Sequence, residues 1–399
     1  MSRYNLVLDE TIQHLLEDPT KKFTYAEMAF FMRWWRQQTD DMKTKVRGLV
    51  KDGRLEFVNG GWSMNDEAAT HYEDIITNMQ KGHQFLLEEF GVTPNIGWHI
   101  DPFGHSNAQA ALFSRMNFDA WYICRIDYRD KMKRRDDHNL EFLWTPFAKE
   151  NELKDSIFTH VTYDMYWGIP NFYFGDSRAE EPIVPGFNLD ERMDEFASWA
   201  ATFNETFKSN HVFIPMGGDF NFQNAHTIFM NLDRIVKYFN ERHSNMKVFY
   251  STPGEYAKAA METKDIEWDI NQDDFFPYAD DQSSYWTGFY TSRANQKGYI
   301  RQCSSQLMAA NQFLTMQTIR KSTNEDTLAK QEKLEEAVSI AQHHDAATGT
   351  SKKAVADDYL DYLYTGLKSS ESAELDALKS IYDSEIDWTF CDVTNGTHQ

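Results

Sequence analysis

Short runs rich in Val, Ile, Phe and Tyr alternate with longer stretches of helical periodicity over roughly the first 280 residues. Strands separated by helices are typical of parallel βαβ units, in which each helix crosses back over the sheet. About seven such units favour a barrel or a barrel-like sheet over a sandwich. The strand-like runs are KFTYAEMAFF, RLEFVNGG, PNIGWHI, FDAWYICRI, DSIFTHVTY, HVFIPMGGDF and MKVFYST, whereas RDDHNLEF is expected to be a solvated loop.

The pattern changes after about residue 285, where three long stretches carry helical periodicity and few glycines. These stretches, 293–320, 325–343 and 352–382, predict a helical bundle. The last residues, IDWTFCDVTNGTHQ, resemble the extended beginning of another region. We therefore expect an α/β domain over 1–283, a helical domain over 284–383 and the start of a β region over 384–399.

The charge balance and the cysteines exclude several classes of function. With 62 acidic and 40 basic residues the net charge is −22, and nucleic acid or an anionic membrane would need a basic surface. No run approaches the ~18 apolar residues of a membrane span, and no leader peptide is visible in MSRYNLVLDE. The three cysteines lack zinc-finger spacing, and the sequons at Asn204 and Asn395 hint at a secretory route. Oligomeric state cannot be read from the sequence.

Two aspartates directly follow strand-like runs, Asp101 in GWHIDPFGHS and Asp219 in PMGGDF. In parallel α/β folds, ligands meet the carboxyl ends of the strands. Each aspartate also has a structural explanation, since Asp101 could cap the next helix and Asp219 could form a turn. As a pair they suit glycoside hydrolysis, in which retaining enzymes hold two carboxyl groups about 5–5.5 Å apart.

The segment QHHDA places two histidines beside an aspartate at the end of a helix. A single histidine is usually structural, but adjacent histidines next to an acid are a moderate signal for a metal site. Zinc would need three or four protein ligands, and the residues alone nominate fewer.

Five longer motifs give the chain a resemblance to glycoside hydrolase family 38, specifically to the lysosomal-type α-mannosidases. The resemblance runs in order over nearly the whole chain. The motifs are FVNGGWSMNDEAATHYEDII, WHIDPFGHS, DDFFPYAD, YWTGFYTSR and QHHDAATGT.

The resemblance implies a (β/α)7 barrel, a three-helix middle domain and zinc-dependent, retaining removal of terminal α-linked mannose from N-glycan-type oligosaccharides. It assigns Asp101 as the nucleophile and a zinc ligand, Asp219 as the general acid/base, and His344 as a zinc ligand. Asp345 would contact the substrate. A proton held on Asp219 would require a partly apolar setting. The residues that would line the mannose pocket are Phe103, Arg125, Tyr166 and Trp286.

Two parts of the family pattern are not found in these 399 residues: the first barrel strand, with its His-x-His-x-Asp zinc ligands, and the C-terminal β-domains. We therefore expect a chain that lacks part of its zinc site and hydrolyses little aryl α-mannoside by itself. The alternatives are a catalytic α-mannosidase whose remaining segments lie elsewhere, a non-catalytic relic that binds carbohydrate weakly, and a zinc-dependent barrel acting on α-glucans. The family points to a lysosomal or secreted location.

Overall fold

The computed structural model describes residues 3–146, 156–175, 180–320, 325–382 and 388, and these form two compact units. The first unit comprises residues 1–68 and 82–287, and the second comprises 69–81 and 288–399. Except for residue 388, the expected β region over 384–399 lies outside the described residues. Over the described ranges, no helix is both long enough and apolar enough to cross a membrane.

The first unit alternates short strands with helices, as the sequence pattern predicts. The prediction of one strand over KFTYAEMAFF is wrong for its second half, because the strand covers only Phe23–Tyr25 and a helix begins at Met28. The strands of this unit are β1 (Phe23–Tyr25), β2 (Leu55–Phe57), β3 (Ile96–His99), β4 (Ala120–Ile123), β5 (Glu141–Trp144), β6 (Ile157–Val161), β7 (Asp269–Asn271), β8 (Ala279–Asp281) and β9 (Ser284–Tyr285). Its helices are α1 (Arg3–Glu17), α2 (Met28–Trp35), α3 (Asp40–Lys51), residues 82–90 of α4 (Tyr72–Phe90), α5 (Asn107–Arg115), α6 (Tyr128–Asp136), α7 (Leu189–Thr206), α8 (Ala225–Arg242) and α9 (Pro253–Glu262).

The strands form a mixed sheet of order β3-β4-β6-β5-β7, with β1–β2 and β8–β9 as separate pairs. Strands β3, β4 and β6 run parallel, whereas β5 is antiparallel to β6. The runs 211–217 and 246–252, predicted as strands, are not assigned as strands. Their apolar side chains stay partly exposed, with Phe249 60% exposed, and Pro215 has no N–H to donate to a strand neighbour.

The prediction of a solvated loop over RDDHNLEF is wrong for its second half. Leu140 and Phe142 are buried, and β5 begins at Glu141. The polar first half of the run instead ends helix α6 and gives no sign of the strand that follows. Much of the aromatic content fills this core, in which Trp121 stacks on Trp144 with ring centroids 5.1 Å apart.

The second unit contains three long helices, α10 (Ala294–Arg320), α11 (Glu325–Ala341) and α12 (Lys353–Tyr382), after a short 3-10 turn at Gly288–Tyr290. Gly366 allows α12 to approach α11, since a Cβ at Gly366 would lie 2.9 Å from the Cα of Leu334. The helices share one core, formed by Ile300, Cys303, Leu307, Leu334, Ala337, Val338, Ala341, Ala347 and Leu363.

Truncation of Leu334 to alanine is expected to destabilise the second unit by about 2–5 kcal/mol, because it leaves a cavity in a fully buried core. Leu328 lies on the same helix but is 50% exposed, so L328A should change the free energy of unfolding by no more than about 0.5 kcal/mol. Urea denaturation of both variants measures the difference. Equal destabilisation by the two changes would contradict the shared core.

Candidate active site

Asp101 lies two residues beyond the carboxyl end of β3, where parallel α/β folds bind ligands. The chain turns at Gly104, whose φ of +99° and close approach to Phe276 exclude a Cβ. Helix α5 is capped by Ser106, whose Oγ accepts the amide of Gln109 at 3.0 Å. Asp101 is therefore not the helix cap, and its carboxylate is available for another role.

That carboxylate accepts hydrogen bonds from Arg125, which follows β4. Arg125 Nε lies 2.7 Å from Asp101 Oδ1, and a second guanidinium nitrogen donates to the same oxygen. Burial acts to lower the pKa of Arg125, but the Asp101 charge and the contact with Tyr278 raise it above its usual range. Arg125 therefore stays charged and favours the ionised form of Asp101.

Aromatic rings surround the Arg125 guanidinium at cation–π distances. Trp286 also packs on Phe103, with centroids 4.9 Å apart, and its indole N–H donates to Asp280 Oδ1 at 3.2 Å. Trp286 is the partly exposed ring of the set, whereas Phe103, Tyr166 and Tyr278 are buried. A fixed, partly exposed ring beside a carboxylate offers a flat face for the C–H surface of a sugar. The ring centroids lie 5.7 Å (Phe103), 5.9 Å (Tyr166), 5.6 Å (Tyr278) and 5.2 Å (Trp286) from the guanidinium carbon.

Tyr166 connects the two aspartates. Its hydroxyl donates to Asp219 Oδ1 at 3.4 Å, and its ring faces Arg125. Burial, then the negative charges of Asp101 and Asp219, raise the pKa of Tyr166, so both carboxylates act on the same hydroxyl. Asp219 itself is exposed, so the expectation of a partly apolar setting is wrong. The glycine-containing run before it lies outside the sheet and does not cover it.

His344 and Asp345 belong to the second unit and follow the end of α11. His344 is buried, and its carbonyl accepts the hydroxyl of Thr348 at 2.6 Å. The Asp345 side chain is half exposed and accepts the hydroxyl of Thr350 at 2.6 Å. The QHHDA segment thus forms an ordered turn after a helix, as the sequence predicts.

The described residues do not by themselves fit a zinc ion. Within those ranges, no group of three or more His, Cys, Asp and Glu side chains is arranged to hold a metal. Protein zinc sites take three or four such ligands, and the two expected ones, Asp101 and His344, lie in different units.

Sequence reasoning missed two residues of this region, Tyr278 and Glu67. The Tyr278 hydroxyl accepts from Arg125 at 3.2 Å, and the motif DDFFPYAD had marked its segment without marking the residue. Glu67 is fully buried, and its carboxylate contacts His99 at 2.7 Å and His105 at 2.8 Å. Nothing local to its own run, MNDEA, distinguishes it from a solvated acid.

Folding stability should depend on pH through Glu67. Burial raises the pKa of Glu67 from 4.5 to about 7, opposed by the hydrogen bond from His99. The folded state then binds a proton more readily than the unfolded state, so this contribution is present below about pH 4.5 and is lost as pH rises through about 7. Between pH 5 and 7.5 the free energy of unfolding of the parent, measured with denaturant, should therefore fall relative to that of E67Q. Burial lowers the pKa of His105, which acts in the opposite sense in both proteins, so the comparison with E67Q isolates the Glu67 contribution. An equal change with pH in both proteins would contradict the assignment.

Two family models match the chain in succession. Residues 2–281 match the glycosyl hydrolases family 38 N-terminal domain, and residues 284–381 match the alpha mannosidase middle domain. Among individual proteins, the chain is 41% identical over 366 residues to lysosomal alpha-mannosidase of Dictyostelium discoideum, covering 90% of this chain and 36% of that protein. It is 38% identical over 399 residues to the human lysosomal alpha-mannosidase, covering 98% of this chain and 39% of the relative.

A solved alpha-mannosidase from Enterococcus faecalis V583 has a similar fold, with a TM-score of 0.75 over 96% of this chain and 40% of that one. At 15% identity this likeness concerns the fold alone. The chain spans 36–39% of the length of the two lysosomal relatives. The N-terminal domain model covers more than half of these 399 residues, and the middle-domain model follows it. The chain therefore belongs to glycoside hydrolase family 38.

Proposed function

We propose that this chain supplies the catalytic part of an α-mannosidase that removes terminal α-linked mannose from N-glycan-type oligosaccharides. The observation that carries the proposal is Asp101, held at a strand end by Arg125 within a set of aromatic rings and connected through Tyr166 to Asp219. The similarity to lysosomal alpha-mannosidases of two distant organisms supports mannose as the sugar.

The proposed reaction is a double displacement at the anomeric carbon. Asp101 attacks that carbon while Asp219 gives a proton to the departing glycosidic oxygen. In the second step Asp219 takes a proton from water, the water oxygen bonds to the anomeric carbon, and Asp101 leaves as a carboxylate. Two inversions give net retention. Arg125 keeps Asp101 ionised and oriented for the first step.

The sugar-binding surface would consist of rings and hydrogen-bonding groups on several segments. Phe103 and Trp286 form one packed pair of rings, suited to stacking on the mannose C–H face. Tyr166 would position Asp219 through its hydroxyl, and Asp345 would contact a sugar hydroxyl. Each of these roles rests on the family resemblance together with the side chain's surroundings.

We further propose zinc as the cofactor, with Asp101 and His344 as two of its ligands. A protein zinc site takes three or four ligands, so at least one further donor is needed, and the described residues do not bring one into such a group. Metal analysis of the natural protein should then find about one zinc per chain. The 399-residue chain alone should bind zinc more weakly.

The finer architecture is also a proposal. We infer that the first unit corresponds to the family's (β/α)7 barrel and the second to its three-helix middle domain. The ranges matched by the two family models, 2–281 and 284–381, support domains at 1–283 and 284–383. We also propose a lysosomal or secreted location, and the names of the relatives support the lysosomal alternative.

The test is hydrolysis of 4-nitrophenyl α-D-mannoside and of the matching α-glucoside. The natural protein, isolated from its own cells in whatever length they make it, should cleave the mannoside with a clear preference. The 399-residue chain should cleave little of either, because its described donors do not complete a metal site. A preference for the glucoside would favour an α-glucan enzyme.

A non-catalytic carbohydrate-binding protein is the second candidate, because the residues that the structure describes do not by themselves bring three metal donors together. It predicts that the natural protein binds mannosides without turnover. Calorimetric titration of the natural protein with methyl α-mannoside, alongside the hydrolysis assay, separates the two functions.

A further inference from the structure

The loop that carries Asp101 is fastened at both ends to one buried carboxylate. His99 is the last residue of β3, and its Nδ1 lies 2.7 Å from Glu67 Oε1. At the other end, His105 Nδ1 lies 2.8 Å from the same oxygen, and the amide of Ser106 donates to Glu67 Oε2 at 2.8 Å. The segment 100–104 between these contacts contains Asp101.

Glu67 itself belongs to an unusual part of the chain. Residues 57–67 are buried throughout, although 58–67 contain no helix or regular strand. Loops normally lie on the surface, because buried irregular backbone is hard to satisfy with hydrogen bonds. A carboxylate with no solvent exposure is costly as well, and three hydrogen bonds offset that cost. This buried loop therefore contacts the turn that contains Asp101, through Glu67.

The surroundings of the turn restrict its movement on a second side. His105 and Phe275 exchange backbone hydrogen bonds, with N···O distances of 3.3 and 2.9 Å. Gly104 packs so closely on Phe276 that a Cβ would come within 2.4 Å of its ring. Phe275 and Phe276 therefore hold one side of the turn, and the contacts with Glu67 hold the other.

We propose that Glu67 is a positioning residue, which sets the place of the Asp101 carboxylate by tying together the end of β3 and the start of α5. The role depends on geometry and not on the charge of Glu67. When Glu67 carries a proton, one histidine ring can accept it in its other tautomer, and the ties remain. This inference rests on the proposed function only for its effect on catalysis.

A glutamine at this position can preserve the ties. Its oxygen can accept the Ser106 amide, and its NH₂ group can donate to both rings after they change tautomer. Methionine has a similar length but makes none of these contacts. E67M should therefore release the turn, and E67Q should restore its position.

The chain offers a matched control in Glu141. Glu141 is also buried, and its Oε1 contacts His160 Nδ1 at 2.8 Å and the Tyr256 hydroxyl at 2.6 Å. It lies on β5 and connects that strand to His160 and Tyr256 in the core, and these contacts do not involve the turn that contains Asp101. E141M removes the same kind of contact, so it reports the general cost of losing a buried carboxylate.

Two measurements on the natural protein test the proposal. In hydrogen-exchange mass spectrometry, E67M should speed exchange over residues 97–106 by about tenfold or more, while E141M leaves that peptide unchanged. In mannoside hydrolysis, E67M should lower kcat by about 10–100-fold with KM within about threefold, because Arg125, Tyr278 and Trp286 lie on other segments. E67Q should return kcat to within about threefold of the parent.

Unchanged exchange over 97–106 in E67M, equal loss of kcat in E67M and E141M, or failure of E67Q to restore kcat would each overturn the proposal. If the unmodified protein hydrolyses no mannoside, the proposed function fails, and the exchange measurement still decides the role of Glu67. If E67M does not fold, H105F removes one tie only and is compared with H160F, which alters the Glu141 contact.

Discussion

Replacement of Asp101 by asparagine is expected to lower kcat for α-mannoside hydrolysis by the natural protein by at least about a thousandfold. The amide cannot form the covalent bond to the anomeric carbon, although it keeps an oxygen that can accept from Arg125. Because the side chain is nearly the same size and partly exposed, folding should be little affected. The assay is steady-state hydrolysis of an aryl α-mannoside.

Asp119 provides the control for this change. It lies at the amino end of β4, away from the carboxyl ends of the parallel strands, and its Oδ2 accepts from Asn95 at 2.6 Å. D119N should keep kcat within about twofold of the parent. A D101N protein that retained a tenth or more of the parent activity would contradict the assignment of Asp101 as nucleophile.

Replacement of Asp219 by asparagine should have an effect that depends on the leaving group. For a mannobiose, whose leaving sugar needs a proton, kcat should fall by about 10²–10⁴-fold. For a 2,4-dinitrophenyl mannoside, whose leaving group departs unprotonated, the first step should be nearly unaffected. The contrast arises because D219N removes proton donation, and not attack by Asp101, from the first step.

Pre-steady-state measurement with both substrates checks this expectation, and D136N is the control. Asp136 is exposed, as Asp219 is, but it is the last residue of helix α6 and does not follow a strand. Equal losses for the two substrates in D219N would mean that Asp219 binds or shapes the site and does not supply the proton. The exposure of Asp219 makes unfolding a poor explanation for any loss.

The alternation of strands and helices is predictable from the sequence because local periodicity produces it. The pairing of the strands is not, since it depends on contacts between distant segments. The antiparallel β5 follows a charged run, and this run gives no indication that Leu140 next to it is buried. The run HVFIPMG has the composition of a strand but does not form one. Composition indicates that a segment can be extended, but hydrogen-bonded neighbours decide whether it joins a sheet.

The site was predictable to a similar extent. The motifs led to Asp101, Phe103, Arg125 and Trp286, which the structure brings together in one unit. The ties that hold them were not predictable, because Glu67 lies 34 residues before Asp101 and no periodic pattern links the two. The roles assigned to these residues stay predictions until variants are measured.

The most direct test of Asp101 as the nucleophile of an α-mannosidase is to trap the covalent intermediate. The natural protein would be treated with a slow fluorinated α-mannosyl donor, digested and analysed by peptide mass spectrometry. We predict one sugar attached to the peptide containing GWHIDPFGHS, on Asp101 itself, and none in D101N. Attachment to another residue, or hydrolysis with inversion of the anomeric configuration, would contradict the proposed mechanism.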